Sequence, residues 1–154
     1  MDTEKIKEIT KQELDGSNLF LVEINTTPHN EIEVVIDSDN YVDIENCIEL
    51  SRVIESHFDR DEEDFQLTVT SAGVGYPLKV YRQYLKLIGR PVEVILKSGV
   101  KILAELRQAT EDSITLAYTE KRLVEGKKKK EEFEVVNTYT LAEIKTTKEY
   151  LDFK

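Results

Sequence analysis

At 154 residues the chain has room for one ordinary domain or two small ones. Apolar residues make up 40% and charged residues 34%, a balance that excludes wholesale disorder, and no apolar run approaches membrane-spanning length. The net charge of −10 is unevenly spread: residues 1–76 carry 5 Lys and Arg against 19 Asp and Glu, a net of −14, whereas residues 77–154 carry 16 against 12, a net of +4.

An acidic first half repels bare phosphate and attracts basic protein segments, while the second half can still touch nucleic acid. The first ten residues lack the basic block and apolar run of a secretion signal. The single cysteine, Cys47, allows no internal disulfide, which agrees with a reducing compartment. The expectation is a soluble, cytoplasmic chain.

A first helix is expected from about Thr3 to Asp15, capped by Thr3, with Ile6, Ile9 and Leu14 on one face and Gly16 ending it. Two strands follow, Leu19 to Ile24 and Glu31 to Ile36. In them Phe20, Val22 and Ile24, then Ile32, Val34 and Ile36, alternate with other residues, which is the pattern of a hairpin. Leu19, Leu21 and Val35 would then point to the sheet's other face, where a second layer or a partner must cover them. Residues 37–43 resemble the start of a calcium loop, but Val42 and Ile48 stand where glycine and the bidentate glutamate are needed. The segment reads instead as an acidic turn into a second helix, about Ile44 to Phe58, capped by Asp43. Ile44, Cys47, Ile48, Ser51, Ile54 and Phe58 fall at helical spacing in it, with Cys47 in the core. After the acidic run Asp59 to Asp64, Phe65, Leu67 and Val69 alternate into a third strand, completing an αββαβ two-layer unit.

Thr70 to Arg90 reads as a joint. Gly73 and Gly75 free the backbone, and Pro77 opens a helix with Val80, Tyr84 and Leu87 on one face. Beyond it Val92 to Leu96, a Ser98-Gly99 turn, Ile102 to Leu106, Ile114 to Thr119 and Phe133 to Tyr139 read as short strands, with the tail supplying a closing strand. The domains are therefore expected at 1–76 and 77–154.

No motif joins His29 or His57 to Cys47 or to a serine as nucleophile and base, and there is no clustered His/Cys set for a metal. Gly73-x-Gly75 lacks the third glycine and the lysine-threonine ending of a phosphate loop. The sequence thus points to no catalytic residue, no metal, no cofactor and no small-molecule substrate.

The stretch TSAGVGYPL, Thr70 to Leu78, resembles the serine-serine-proline-glycine-x-aspartate-arginine-proline-leucine motif of the RimP ribosome maturation factors. Ala72, Gly75 and Tyr76 stand in place of that motif's proline, aspartate and arginine. Val34 to Arg52 is similar to the same family's strand, acidic turn and helix, with Cys47 followed four residues later by Ser51-Arg52. Pro77 to Tyr118 looks like a short helix leading into an Sm-like, SH3-like small barrel, as that family has, although Ser113 and Ile144-Lys145 stand where RNA-binding Sm proteins carry asparagine and arginine-glycine. The resemblance implies an α+β chain, an αββαβ domain followed by a small Sm-like/SH3-like β-barrel. It implies a non-catalytic factor that binds the small (30S) ribosomal subunit or its precursor, with ribosomal RNA and a small-subunit ribosomal protein as partners. A monomer is expected. Two other classes remain open: an Sm-like RNA-binding regulator acting off the ribosome, and an acidic protein-interaction adaptor. The candidate contacts to RNA or ribosome are Lys127, Lys128, Lys129 and Lys130, then Lys79, Arg82 and Lys86; Gly73, Gly75, Tyr76 and Pro77 form the candidate interdomain joint.

Overall fold

A computed structural model describes residues 2–73, 75–123, 125, 126 and 130–151. Its chain falls into two compact units, Met1–Gly73 and Val74–Lys154.

In the first unit, helix α1 (Thr3–Leu14) buries Ile6, Ile9 and Leu14 at the expected spacing. Its cap is Asp2 and not Thr3: the Asp2 carboxylate accepts from Lys5 N at 3.1 Å, which satisfies an otherwise unpaired amide of the first turn. The one polar residue buried in the helix, Thr10, donates to Ile6 O at 2.8 Å. Gly16, at φ +75°, takes the left-handed position that ends the helix. Strands β1 (Leu19–Thr26) and β2 (Glu31–Ser38) form an antiparallel hairpin. Helix α2 (Ile44–Glu55) then returns the chain, and β3 (Gln66–Ser71) lies parallel to β2, giving the order β1-β2-β3. Both helices and the apolar side chains of Ile32, Val34, Ile36 and Phe65 build one core.

Two faces differ from the sequence reading. A bulge between Leu21 and Glu23 inserts one residue into β1, so that Leu21 lies opposite Ile36 but Ile24 lies opposite Val34. Leu19, Leu21 and Ile24 therefore all pack against the helix-side core, while Phe20 and Val22, with Val35, are buried on the other face. Strict alternation from Phe20 to Ile24 fails because period two does not survive a bulge. In α2 the capping box at Asp43 forms as expected: Asn46 N donates to Asp43 and Asp43 N donates to Asn46, each at 2.9 Å. The helix ends at Glu55, however, and its inward face carries Leu50 and Ile54, with Cys47 and Val53 half-buried beside them. Ile44 is 74% exposed and Ile48 also faces outward.

The second unit opens on an extended segment and a short helix, α3 (Tyr81–Lys86). Pro77 does not begin this helix. Leu78 N is held by Thr147 O at 2.8 Å, and Lys79 N and Val80 N both donate to Gln83 Oε1, so the backbone stays extended through Val80, at φ −128° and ψ 152°. Tyr84 and Leu87 face the core as expected, whereas Val80 is the residue before the first turn. Strands β4 (Pro91–Leu96), β5 (Lys101–Ala109), β6 (Ser113–Leu123), β7 (Lys130–Thr140) and β8 (Ile144–Glu149) form an antiparallel sheet in the order β7-β6-β5-β4-β8. Alternate residues Ile102, Ala104 and Leu106 of β5, with Val92, Val94, Ile114 and Leu116, supply its core.

The last strand pairs with β4, not with β7. A three-residue 3-10 turn, Leu141–Glu143, carries the chain from one edge strand of the sheet to the other. Such a turn spans roughly 6 Å, whereas five flat strands are on the order of 19 Å across, so the sheet must roll until its two edges approach. Bulges between Leu106 and Gln108 and between Ile95 and Leu96 supply the bend. The fold is α+β, an αββαβ layer pair and a rolled five-stranded sheet.

Candidate functional site

The basic candidates divide into two places, and the ladder of β6 measures their separation. Lys79 is exposed in the extended segment, and Arg82 and Lys86, four residues apart on α3, share one side of that helix. Tyr81, at the start of α3, sets its hydroxyl 3.4 Å from Ala109 O, and Ala109 pairs with Ile114 near the beginning of β6. Lys130 pairs with Leu123, at the far end of the same strand. Nine residue steps along β6 separate Ile114 from Leu123, roughly 30 Å of path. The structure therefore does not join Lys130 to Lys79, Arg82 and Lys86 as one patch. Lys127, Lys128 and Lys129 lie outside the described residues.

Local register explains how the β6–β7 hairpin handles its charge. Lys121 lies opposite Glu132, and Arg122 stands opposite Glu131 in the ladder. Nearer the body of the sheet, Arg107 reaches Glu134 at 2.9 Å and Glu105 at 3.2 Å. The Arg107–Glu134 pair joins opposite charges across neighbouring strands at the base of the arm. Lys130 begins the return strand beyond those pairs, beside Leu123, which is largely exposed, and after Gly126 at φ +82°.

Around α3 the basic residues border an apolar stripe. Tyr81, Leu85 and Ile88, at helical spacing, are all substantially exposed. Gln83 and Tyr84 on the opposite side are buried, and burial pushes the Tyr84 phenol above its ordinary value.

The joint residues separate into two kinds. Ala72 N still donates to Ile36 O at 2.8 Å, extending the β2–β3 ladder, and Leu78 N is already tied to β8, so the backbone between these anchors is only residues 73–77. Gly75 has φ +85° and therefore needs glycine. Gly73 does not: its φ lies outside the left-handed region and a Cβ there would meet nothing within 4 Å. Tyr76 and Pro77 are half-buried.

Among the described residues no group of three His, Cys, Asp or Glu is placed to hold a metal ion. His57 is occupied structurally, its Nδ1 lying 2.8 Å from Val53 O. Cys47 is half-buried, and burial together with the neighbouring Asp43 charge raises its thiol pKa, the opposite of what a nucleophile needs. No helix among the described residues is long and apolar enough to cross a membrane.

Sequence reasoning missed Gln83, whose side chain organises the segment carrying Lys79, because a buried glutamine inside an apolar pattern leaves no periodic signal. It also missed the outer edge of β3, since strand order cannot be read from alternation.

Comparison with known proteins covers both units. A sequence model described as the RimP N-terminal domain matches residues 6–75. The chain is 40% identical over 129 residues to the ribosome maturation factor RimP of Flavobacterium psychrophilum, covering 80% of this chain and 82% of that protein. It is 40% identical over 116 residues to the protein of that name from Christiangramia forsetii, with 75% of each covered. To that of Porphyromonas gingivalis it is 38% identical over 145 residues, 94% of this chain and 95% of that one.

Proposed function

Because the chain belongs to the RimP family of ribosome maturation factors, we propose that it binds the small (30S) ribosomal subunit, or its precursor, and assists its assembly in the cytoplasm. It is an assembly factor and not an enzyme. A binding protein can perform such work by differential affinity alone: preferring one conformation of an assembling particle shifts the population toward it.

The observation that carries this reading is the extent of the family relation, which runs through 94% of the chain and so includes both units. Charge supports a division of labour. The first unit, rich in Asp and Glu, suits basic protein segments; the second, with Lys130 at the end of its arm and Lys79, Arg82 and Lys86 about its helix, suits ribosomal RNA. Lys127, Lys128 and Lys129 extend that basic run in the sequence. Residues 73–77, with Gly75, Tyr76 and Pro77, act as the joint between the two.

Depletion of the protein followed by gradient profiling of ribosomal particles tests the reading. Accumulated free small subunits containing unprocessed RNA are expected. A normal profile at every growth temperature refutes it.

A further inference from the structure

The sheet of the first unit ends on β3, and among the described residues no strand pairs with its outer side. Gln66 N and Ala72 N both donate toward the hairpin, to Asn30 O at 3.0 Å and Ile36 O at 2.8 Å. Alternation along the strand then turns the N–H and C=O groups of Leu67, Val69 and Ser71 away from β2. Among the described residues these outward groups meet no hydrogen-bonding partner.

Sheet edges are normally guarded by a lysine, a proline or a bulge, because an open row of donors and acceptors invites another strand. The sequence of β3, QLTVTS, contains neither charge nor proline, and its register with β2 runs without a shift. Its neighbours favour one kind of visitor. On the helix side, Val42, Ile44, Cys47 and Val69 line a groove of about 280 Å³ with Asp43 at its rim. On the opposite face, Glu31 and Glu33 stand beside Gln66 and Thr68 in the register and line a polar recess with Asn25.

We propose that the β3 edge docks an extended, lysine- or arginine-rich peptide segment of a protein partner, which adds to the sheet as a fourth strand. A strand presents alternate side chains to opposite faces. One row would lay apolar groups over Ile44 and Val69, while the other sends cations over Thr68 toward Glu33 and Glu31. Backbone pairing supplies the affinity and the flanking acids the selectivity. The −14 charge of residues 1–76 disfavours a second copy of this unit, an acidic segment or a nucleic-acid strand at the same edge.

The inference rests on the small-subunit reading only for the source of the segment. It is tested by itself, by titrating the full chain with an eight-residue capped peptide alternating valine with lysine or arginine. The controls are a peptide with glutamate in place of every cation, and a single-stranded oligonucleotide. Slowed amide exchange at Leu67, Val69 and Ser71 is expected, with affinity falling as salt rises. Ile44→Lys, at an exposed position, and Val69→Pro, which removes an outward N–H that β2 does not use, are each expected to weaken binding by about tenfold. Because Val69 also packs on the core, Ile44→Lys keeps the test decisive if the proline variant fails to fold. Unprotected β3 amides, equal binding of the glutamate peptide, occupation by the oligonucleotide, or an unchanged affinity in Ile44→Lys overturns the proposal. A negative titration with a disturbed particle profile removes this site and leaves the small-subunit reading; a positive titration with a normal profile does the reverse.

Discussion

Gln83 caps the backbone of Val80: its Oε1 accepts from Val80 N at 3.2 Å, and the same oxygen accepts from Lys79 N at 2.7 Å. With only 1% of its surface exposed, Gln83 is a buried amide whose acceptor is fully used. Replacing it with alanine strands two donors. Gln83→Ala is expected to cost the second unit about 1–3 kcal/mol in denaturant unfolding. A change inside about 0.5 kcal/mol, the range of ordinary surface substitutions, means that water replaces the amide and the segment does not depend on it.

Gly75 and Gly73 lie two residues apart in the joint, yet only Gly75 sits at positive φ. Gly75→Ala is expected to lower stability by about 1 kcal/mol, while Gly73→Ala is neutral or slightly stabilising through the unfolded chain. Thermal unfolding of the two variants side by side decides it, and equal effects would show that φ at residue 75 is not the governing constraint.

Helix α2 offers a contrast between two isoleucines ten residues apart. Ile54 is fully buried and Ile44 is 74% exposed, so Ile54→Ala is expected to cost about 2–5 kcal/mol and Ile44→Ala less than about 0.5 kcal/mol. Similar denaturant midpoints for both would return Ile44 to the core face that simple spacing suggests.

Tyr84 gives the second unit an alkaline weakness. Burial raises its folded-state pKa above the ordinary tyrosine value of about 10, so between the unfolded and folded pKa values the native state holds a proton that the unfolded chain has lost. Stability from this group is complete below the unfolded pKa and is lost as pH rises through the folded one. Tyr84→Phe is expected to flatten the fall in denaturant midpoint between pH 8 and pH 11, chosen as about two units below and one above the free phenol. An identical fall in wild type and variant assigns the weakness to other groups.

The arm tip carries the RNA prediction. Converting Lys127, Lys128, Lys129 and Lys130 together to serine should weaken subunit binding and flatten its dependence on salt, because each phosphate-bound lysine contributes about one unit to the slope. Thermal stability should hardly move, since lysines in a charged connection between strands contribute little to folding. If affinity and slope are both unaltered, the run is a solvated loop, and attention passes to Lys79, Arg82 and Lys86.

By itself the sequence determined the element types and the chain order. Apolar periodicity set α1 through Ile6, Ile9 and Leu14, the Asp43 box set the start of α2, and alternation in β5 set the inward row of Ile102, Ala104 and Leu106. Each of these is a local effect, decided within one or two turns or a few residues of strand. The motif around Thr70 to Leu78, together with the order of elements, carried the family resemblance by itself.

Tertiary structure alone decided what depends on partners distant in sequence. The bulge after Leu21 is a matter of register against Ile36 and Val35, and it moved Phe20 and Val22 to the other face. The extended backbone from Pro77 to Val80 is held by Thr147, some 70 residues on, and by a glutamine whose burial no pattern announces. Strand order made β3 an edge, and the β6–β7 register placed Lys130 opposite Leu123 at the far end of β6. Hydrophobic period records which residues avoid water, but register, edges and the pairing of buried polar groups are fixed only when separate segments meet.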